Sequence, residues 1–112
     1  MNDLPVILRT HELYDSISRV TEKLPSLKRQ TLGRRIEDAT LEMLELLIMA
    51  KNAPKDHKAI YLIKAGAKAE IIDFHLRSLM KQKLANTTTL HQILSQLNDI
   101  AQQIGGWRKS VQ

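Results

Sequence analysis

Lys28, Arg29, Arg34 and Arg35 crowd into eight residues at the start of an apolar-striped stretch, and Arg77, Lys81 and Lys83 form a second basic group. Guanidinium groups are forked donors that match phosphate oxygens, and ammonium groups act as mobile point charges, so both groups suit a polyanion. The whole chain leans the same way. Its 17 Lys and Arg against 12 Asp and Glu leave +5, with a pI near 9.7, a balance that attracts nucleic acid at long range. Arg108 and Lys109, beside Trp107, join the candidate contacts. The aromatics are Tyr14, Tyr61, Phe74 and Trp107, and none alternates with basic residues as in a base-stacking platform. The expected target is therefore the phosphate backbone and not the base edges.

Other chemistries find little support. Asp38, Glu42 and Glu45 share one strip, and carboxylate strips in helical bundles hold di-iron sites when Glu-x-x-His pairs point inward. No Glu here is followed three residues later by His. The strip is expected to be solvated or to form ion pairs with lysines across a helix boundary. His11, His57, His75 and His91 lack ligand spacing on a shared helix, and the chain has no cysteine, so neither a thiolate metal site nor a disulfide is open to it. Glycine-rich phosphate loops and the G-x-S-x-G nucleophile motif are missing. No catalytic residue, metal or cofactor is expected.

The elements that must position the cations are helical throughout. A chain of 112 residues suits one domain with a modest core, here residues 1–112. Apolar periodicity predicts an all-α fold with helices near 5–23, 28–52, 56–85 and 88–104. The first opens after Asp3 with Pro5 in its first turn and closes at Pro25. Its stripe is Leu13, Ile17, Val20 and Leu24. The second carries Leu32, Ile36, Ala39, Met43, Leu47 and Ala50, and Gly33 leaves room there for a close neighbour. Asn86, Thr87 and Thr88 offer caps for the fourth, whose stripe runs through Leu90, Ile93, Leu97, Ile100 and Ile104. Gly105 and Gly106 look like its C-cap, with Trp107 folding back to seal the bundle.

Short connections force antiparallel neighbours, hence an up-down-up-down four-helix bundle. In that topology the start of the second helix and the end of the third fall at one end, so the seven cations from Lys28 to Lys83 gather there. Lys28 and Arg29 sit on a first turn, where the helix dipole disfavours cations. That placement makes sense for phosphate contact.

The second and third helices each carry two apolar rows. On the third, Ile60, Ile63, Ala67, Ile71 and Phe74 oppose Leu62, Ala65, Ala69, Ile72, Leu76 and Leu79. One bundle core uses one face per helix, so the spare faces call for a subunit contact. Leu41, Leu44 and Ile48, with Leu62, Ile72 and Leu76, are assigned to that interface, closing a ring-like homo-oligomer.

The stretch LPSLKRQTLGRRIEDATLEMLELLIMAK, from Leu24 to Lys51, and the C-terminal Gly105-Gly106-Trp107-Arg108-Lys109-Ser110 together resemble the Avd family. These are the accessory variability determinants of diversity-generating retroelements. The matching positions are Leu32, Gly33, Arg35, Ile36, Glu37, Ala39, Leu44 and Leu47, then Gly106, Trp107 and Ser110. A sister family, encoded within intervening sequences of ribosomal RNA genes, shares the first motif but not the second. The resemblance implies a non-catalytic homopentamer that binds RNA or DNA through basic surface. It also implies docking of the element's reverse transcriptase, in support of mutagenic cDNA synthesis. Two alternatives stay open: the ribosomal intervening-sequence protein, and a structural oligomer whose basic charge is incidental. The start Met1-Asn2-Asp3 shows no signal peptide, and the longest apolar run, Leu46 to Ala50, is too short for a bilayer. A cytoplasmic protein without membrane contact is expected.

Overall fold

A computed structural model describes residues 4–112. Asp3, expected before the first helix, lies outside them. Helix α1 spans Pro5–Thr21. Helix α2 is a rod over residues 26–52 with three parts: a first turn Ser26–Lys28, a π-helical stretch Arg29–Gly33 and the α-helix Arg34–Asn52. Helix α3 spans Lys55–Lys81 and α4 spans Thr87–Val111. No strand occurs among the described residues. Each helix packs on its neighbours in sequence, and α1 closes the square against α4. The result is an antiparallel four-helix bundle of 44 × 23 × 22 Å.

The core is the set the apolar period marks. Leu13 and Ile17 from α1, Ile36, Met43 and Leu47 from α2, and Leu90 and Ile100 from α4 are all essentially inaccessible. Buried hydroxyls are satisfied within their own helices: Thr10 donates to the Val6 carbonyl at 2.7 Å and Thr40 to that of Ile36 at 2.8 Å. Such pairing removes the penalty of an orphaned buried donor. Gly33 packs closely against the end of α1 and the link that follows it. A Cβ there would stand 3.3 Å from Leu24 Cδ1 and 3.4 Å from Thr21 Cβ.

Besides shifts of one or two residues at the end of α1 and the starts of α2 and α3, three boundaries differ from expectation. Helix α3 ends at Lys81 and not near residue 85, because Lys83 takes a left-handed φ of 57° and the Leu84 amide donates back to the Leu79 carbonyl at 3.0 Å. This is a Schellman-type stop without its usual glycine, which is why the sequence does not announce it. Helix α4 starts one residue early, with Asn86 Oδ1 accepting from the Thr89 amide at 3.0 Å, as the cap signal predicts. Its far end is a correction: Gly105 and Gly106 do not cap it. The helix runs through both to Val111. Ile100, Ile104, Trp107 and Val111 keep the core-facing spacing, and Trp107 and Val111 are half-buried against the core. Their packing offsets the roughly 1 kcal/mol that each internal glycine costs a helix. Trp107 thus seals the bundle as expected, but from within the helix.

Candidate nucleic-acid interface

The α3 to α2 juxtaposition is direct. Lys28 Nζ, on the first turn of α2, donates to Gln82 Oε1 at 3.0 Å, just past the end of α3. The basic start of α2 and the basic end of α3 therefore share one end of the rod. Arg29, Arg34, Arg35, Arg77, Lys81 and Lys83 are exposed there, and Lys28 is half-buried. The end also holds Arg19, in the last turn of α1, and Lys23, in the link to α2, which the sequence reading did not include. Their signal was available, since a short α1–α2 connection delivers the end of α1 to the start of α2.

The charge bookkeeping is lopsided. Residues 19–38 and 73–92 carry nine Lys or Arg and four Asp or Glu, a net +5. The remaining eight cations and eight carboxylates of the chain cancel. Two of the four acids at the basic end are engaged. Glu37 accepts a hydrogen bond from the Thr21 hydroxyl, tying α2 to α1. Asp73 accepts from Arg77 Nε at 2.6 Å, an exposed i,i+4 pair of small energetic weight.

Helix dipoles sort the cations further. Arg19, Arg77 and Lys81 lie in or near the last turns of α1 and α3, where the carbonyl end of a helix favours positive charge. Lys28 and Arg29 occupy the first turns of α2, against that helix's own dipole, but each reaches the end of a neighbouring helix: Lys28 donates to Gln82 past the end of α3, and Arg29 donates to the Glu22 carbonyl past the end of α1 at 3.5 Å. Both α2 and α4 begin at this end and α1 and α3 finish there, so the helix dipoles largely offset one another and the positive field comes from the side-chain charges. The π-helical stretch holds Arg29 and is flanked by Lys28 on one side and Arg34 and Arg35 on the other, and π turns recur at functional sites. His75, on the α2-facing side of α3, has its pKa lowered first by burial and then by the Arg35 charge, a sign that the basic field reaches down the α2–α3 groove.

Several assignments are corrected. Arg108 and Lys109 close α4 at the opposite end of the bundle, and Arg108 borders the same groove as Leu62 and Ile63 in the first half of α3. Their position in a last turn is a favourable dipole placement. Leu62, Ile72 and Leu76 are not interface residues. They are 1%, 0% and 1% exposed within a single chain and belong to its core. The exposed row of α3 is the other one. On α2, Leu41 and Ile48 are exposed and Leu44 is half-buried. They share a side with Glu37, which reaches α1, whereas Glu42 reaches Lys68 of α3 at 2.9 Å. The two spare apolar rows therefore look out in different directions and do not form one patch. Of the two outcomes expected for the acidic strip, Glu42 takes the ion pair with a lysine of a neighbouring helix, and Asp38 and Glu45 are exposed.

Tyr14 lies midway along α1, Tyr61 near the start of α3 and Trp107 near the end of α4. Phe74 points outward from the side of α3. The basic end offers phosphate ligands in quantity, and its rings are Phe74 and the imidazoles of His75 and His91. Among the described residues no helix is long and apolar enough to cross a membrane. The chain matches no protein-family model and no curated protein.

Proposed function

We propose that this chain is a non-catalytic nucleic-acid-binding accessory protein of the diversity-generating retroelement type. In this reading its basic end holds the phosphate backbone of RNA or DNA while another surface docks the element's reverse transcriptase. The observation that carries the reading is the segregation of charge: the whole net +5 of the chain resides at one end of a neutral rod. The crowding of Lys28, Arg29, Arg34 and Arg35 within eight residues of α2 supports it, since guanidinium and ammonium groups match phosphate oxygens. The motif resemblance supplies the retroelement context and the five-membered ring. The exposed row Leu41, Leu44 and Ile48 is the surface on which a ring contact would form. Repeating the basic end in an oligomer would add avidity.

A salt titration tests the binding. Affinity for RNA and DNA should fall steeply with salt, because each neutralised phosphate releases counterions. Changing Arg29, Arg34 and Arg35 together to Gln should make the slope of log affinity against log salt shallower by about 2 to 3, with helicity retained. An unchanged slope means these arginines do not touch phosphate. Co-purification with the reverse transcriptase encoded beside the gene tests the second part, and its failure removes the retroelement role while leaving nucleic-acid binding standing.

A further inference from the structure

We propose that Phe74 is a stacking site for an unpaired base, so that the basic end holds single-stranded nucleic acid in preference to duplex. The proposal rests on phosphate binding at that end and names the form of strand bound there. Phe74 is 66% exposed on α3. Its ring meets the His75 ring edge to face, with 5.7 Å between centroids and 67° between planes. That contact steadies the ring at one margin and leaves most of it in water. The bundle does not need it for packing, because Ile72, Leu76 and Leu79 on the far side of α3 already fill the core.

Its neighbours identify the occupant. Alternation along the chain is not what counts on a helix, where residues three and seven positions apart share a face. Arg77 and Lys81 therefore stand on the side of Phe74, about 4.5 and 10.5 Å further along the axis. Both are exposed. Asp73 accepts from Arg77 Nε at 2.6 Å and keeps that guanidinium beside the ring. On the other side, burial and then the charge of Arg35 lower the pKa of His75, so the ring pair also lies within the field of α2.

A ring with cations ranged beside it suits a single strand, whose bases stack on the aromatic face while its phosphates follow the positive charge. In a duplex the faces of the bases are covered by their neighbours, and the ring finds no partner without unstacking one. A protein surface seated on Phe74 would have to desolvate Arg77 and Lys81 or supply acids to meet them, whereas a nucleotide brings its own negative charge. Stacking uses the π-face, which every base has, so the site is indifferent to sequence.

Phe74→Leu keeps an apolar side chain and every charge and removes only the ring. Fluorescence anisotropy with labelled RNA and DNA strands, and with duplexes of the same sequences, reads the effect. Affinity for strands should fall about tenfold, within the range one stacked base supplies. Affinity for duplex should change by less than about twofold, and the salt slope should hold because no cation is lost. Phe74→Trp should restore strand binding, and a strand of abasic sugars should bind the native chain as weakly as an ordinary strand binds Phe74→Leu. Equal losses for strand and duplex, no loss for either, a Trp variant that behaves like Leu, or an abasic strand bound as tightly as an ordinary one would each overturn the stacking site. So would a change of oligomer mass in Phe74→Leu by light scattering, which assigns the ring to a subunit contact. All of these leave phosphate binding standing. A native chain whose affinity for both forms ignores salt removes that reading and the stacking site with it.

Discussion

The two ends of this bundle are built from the same residue types and use them differently. At the end where α2 finishes, Lys58 Nζ donates to the Ala50 and Lys51 carbonyls at 2.8 and 2.9 Å. A cation there caps a helix terminus that would otherwise leave bare acceptors. Arg108 and Lys109 likewise close the last turn of α4, and the acids of that half balance its bases. At the other end Lys28 and Arg29 likewise reach Gln82 and the Glu22 carbonyl beside helix ends, but nine cations face four carboxylates, and two of those acids already have partners. The contrast teaches how to read a basic protein: cations balanced by acids of the same region say little about a ligand, and a local excess of cations over acids says more.

The comparison can be broken by substitution, beginning with the packing that builds the basic end. Gly33→Val places methyls against Leu24 and Thr21, which already lie 3.3 and 3.4 Å from a bare Cβ position. It should cost about 2 kcal/mol of stability in denaturant unfolding and weaken nucleic-acid binding although no charge is removed. A neutral effect would mean that α1 and α2 are not held at a fixed distance there. At the opposite end, Lys58→Ala should cost about 1 kcal/mol by thermal unfolding and leave binding untouched. Should it weaken binding instead, that end is not merely structural.

Changing Arg108 and Lys109 together to Gln should move affinity by less than about twofold and leave the salt slope nearly unchanged. A loss equal to that of the α2 arginines would erase the distinction between the ends. The smallest effect is a pH dependence. Because His75 is held below its ordinary pKa of 6.5 by burial and by Arg35, the unfolded chain takes up this proton before the folded one does. Its contribution to stability is therefore complete above pH 6.5 and is lost as the pH falls through the folded value. His75→Gln should flatten that part of the stability profile, and an NMR titration of the ring should show the lowered midpoint. A ring titrating at or above 6.5 contradicts the placement.

Much of this was legible in residues alone. The one-sided stripes of α1 and α4 could be buried only one way, and the proline and asparagine punctuation placed the turns to within a few residues. The acidic strip found Lys68, and the Gly33 contact followed from a glycine inside a helical pattern. The errors share one cause. Each needed knowledge of what lay alongside in space. Gly105 and Gly106 carry the composition of a stop, yet the packing of Trp107 and Val111 carries the helix past them. Lys83 has no glycine to mark its left-handed turn. Arg108 and Lys109 stand apart from the basic end, because a chain leaving it at Thr87 has travelled the length of the rod by residue 108.

The sequence by itself determined that the chain is helical, that it forms an antiparallel bundle, and that two basic groups far apart in number meet at one end, because period, proline breaks and short links are local properties. Only the tertiary structure decided which of the two apolar rows of α3 went inward. Both rows have the spacing and hydrophobicity of a core face, and periodicity cannot rank them. The choice fell to the row of Leu62, Ala65, Ala69, Ile72, Leu76 and Leu79, which runs further along the helix and whose alanines admit the facing side chains of α2 and α4. Its selection left Ile60, Ile63, Ala67, Ile71 and Phe74 to the surface.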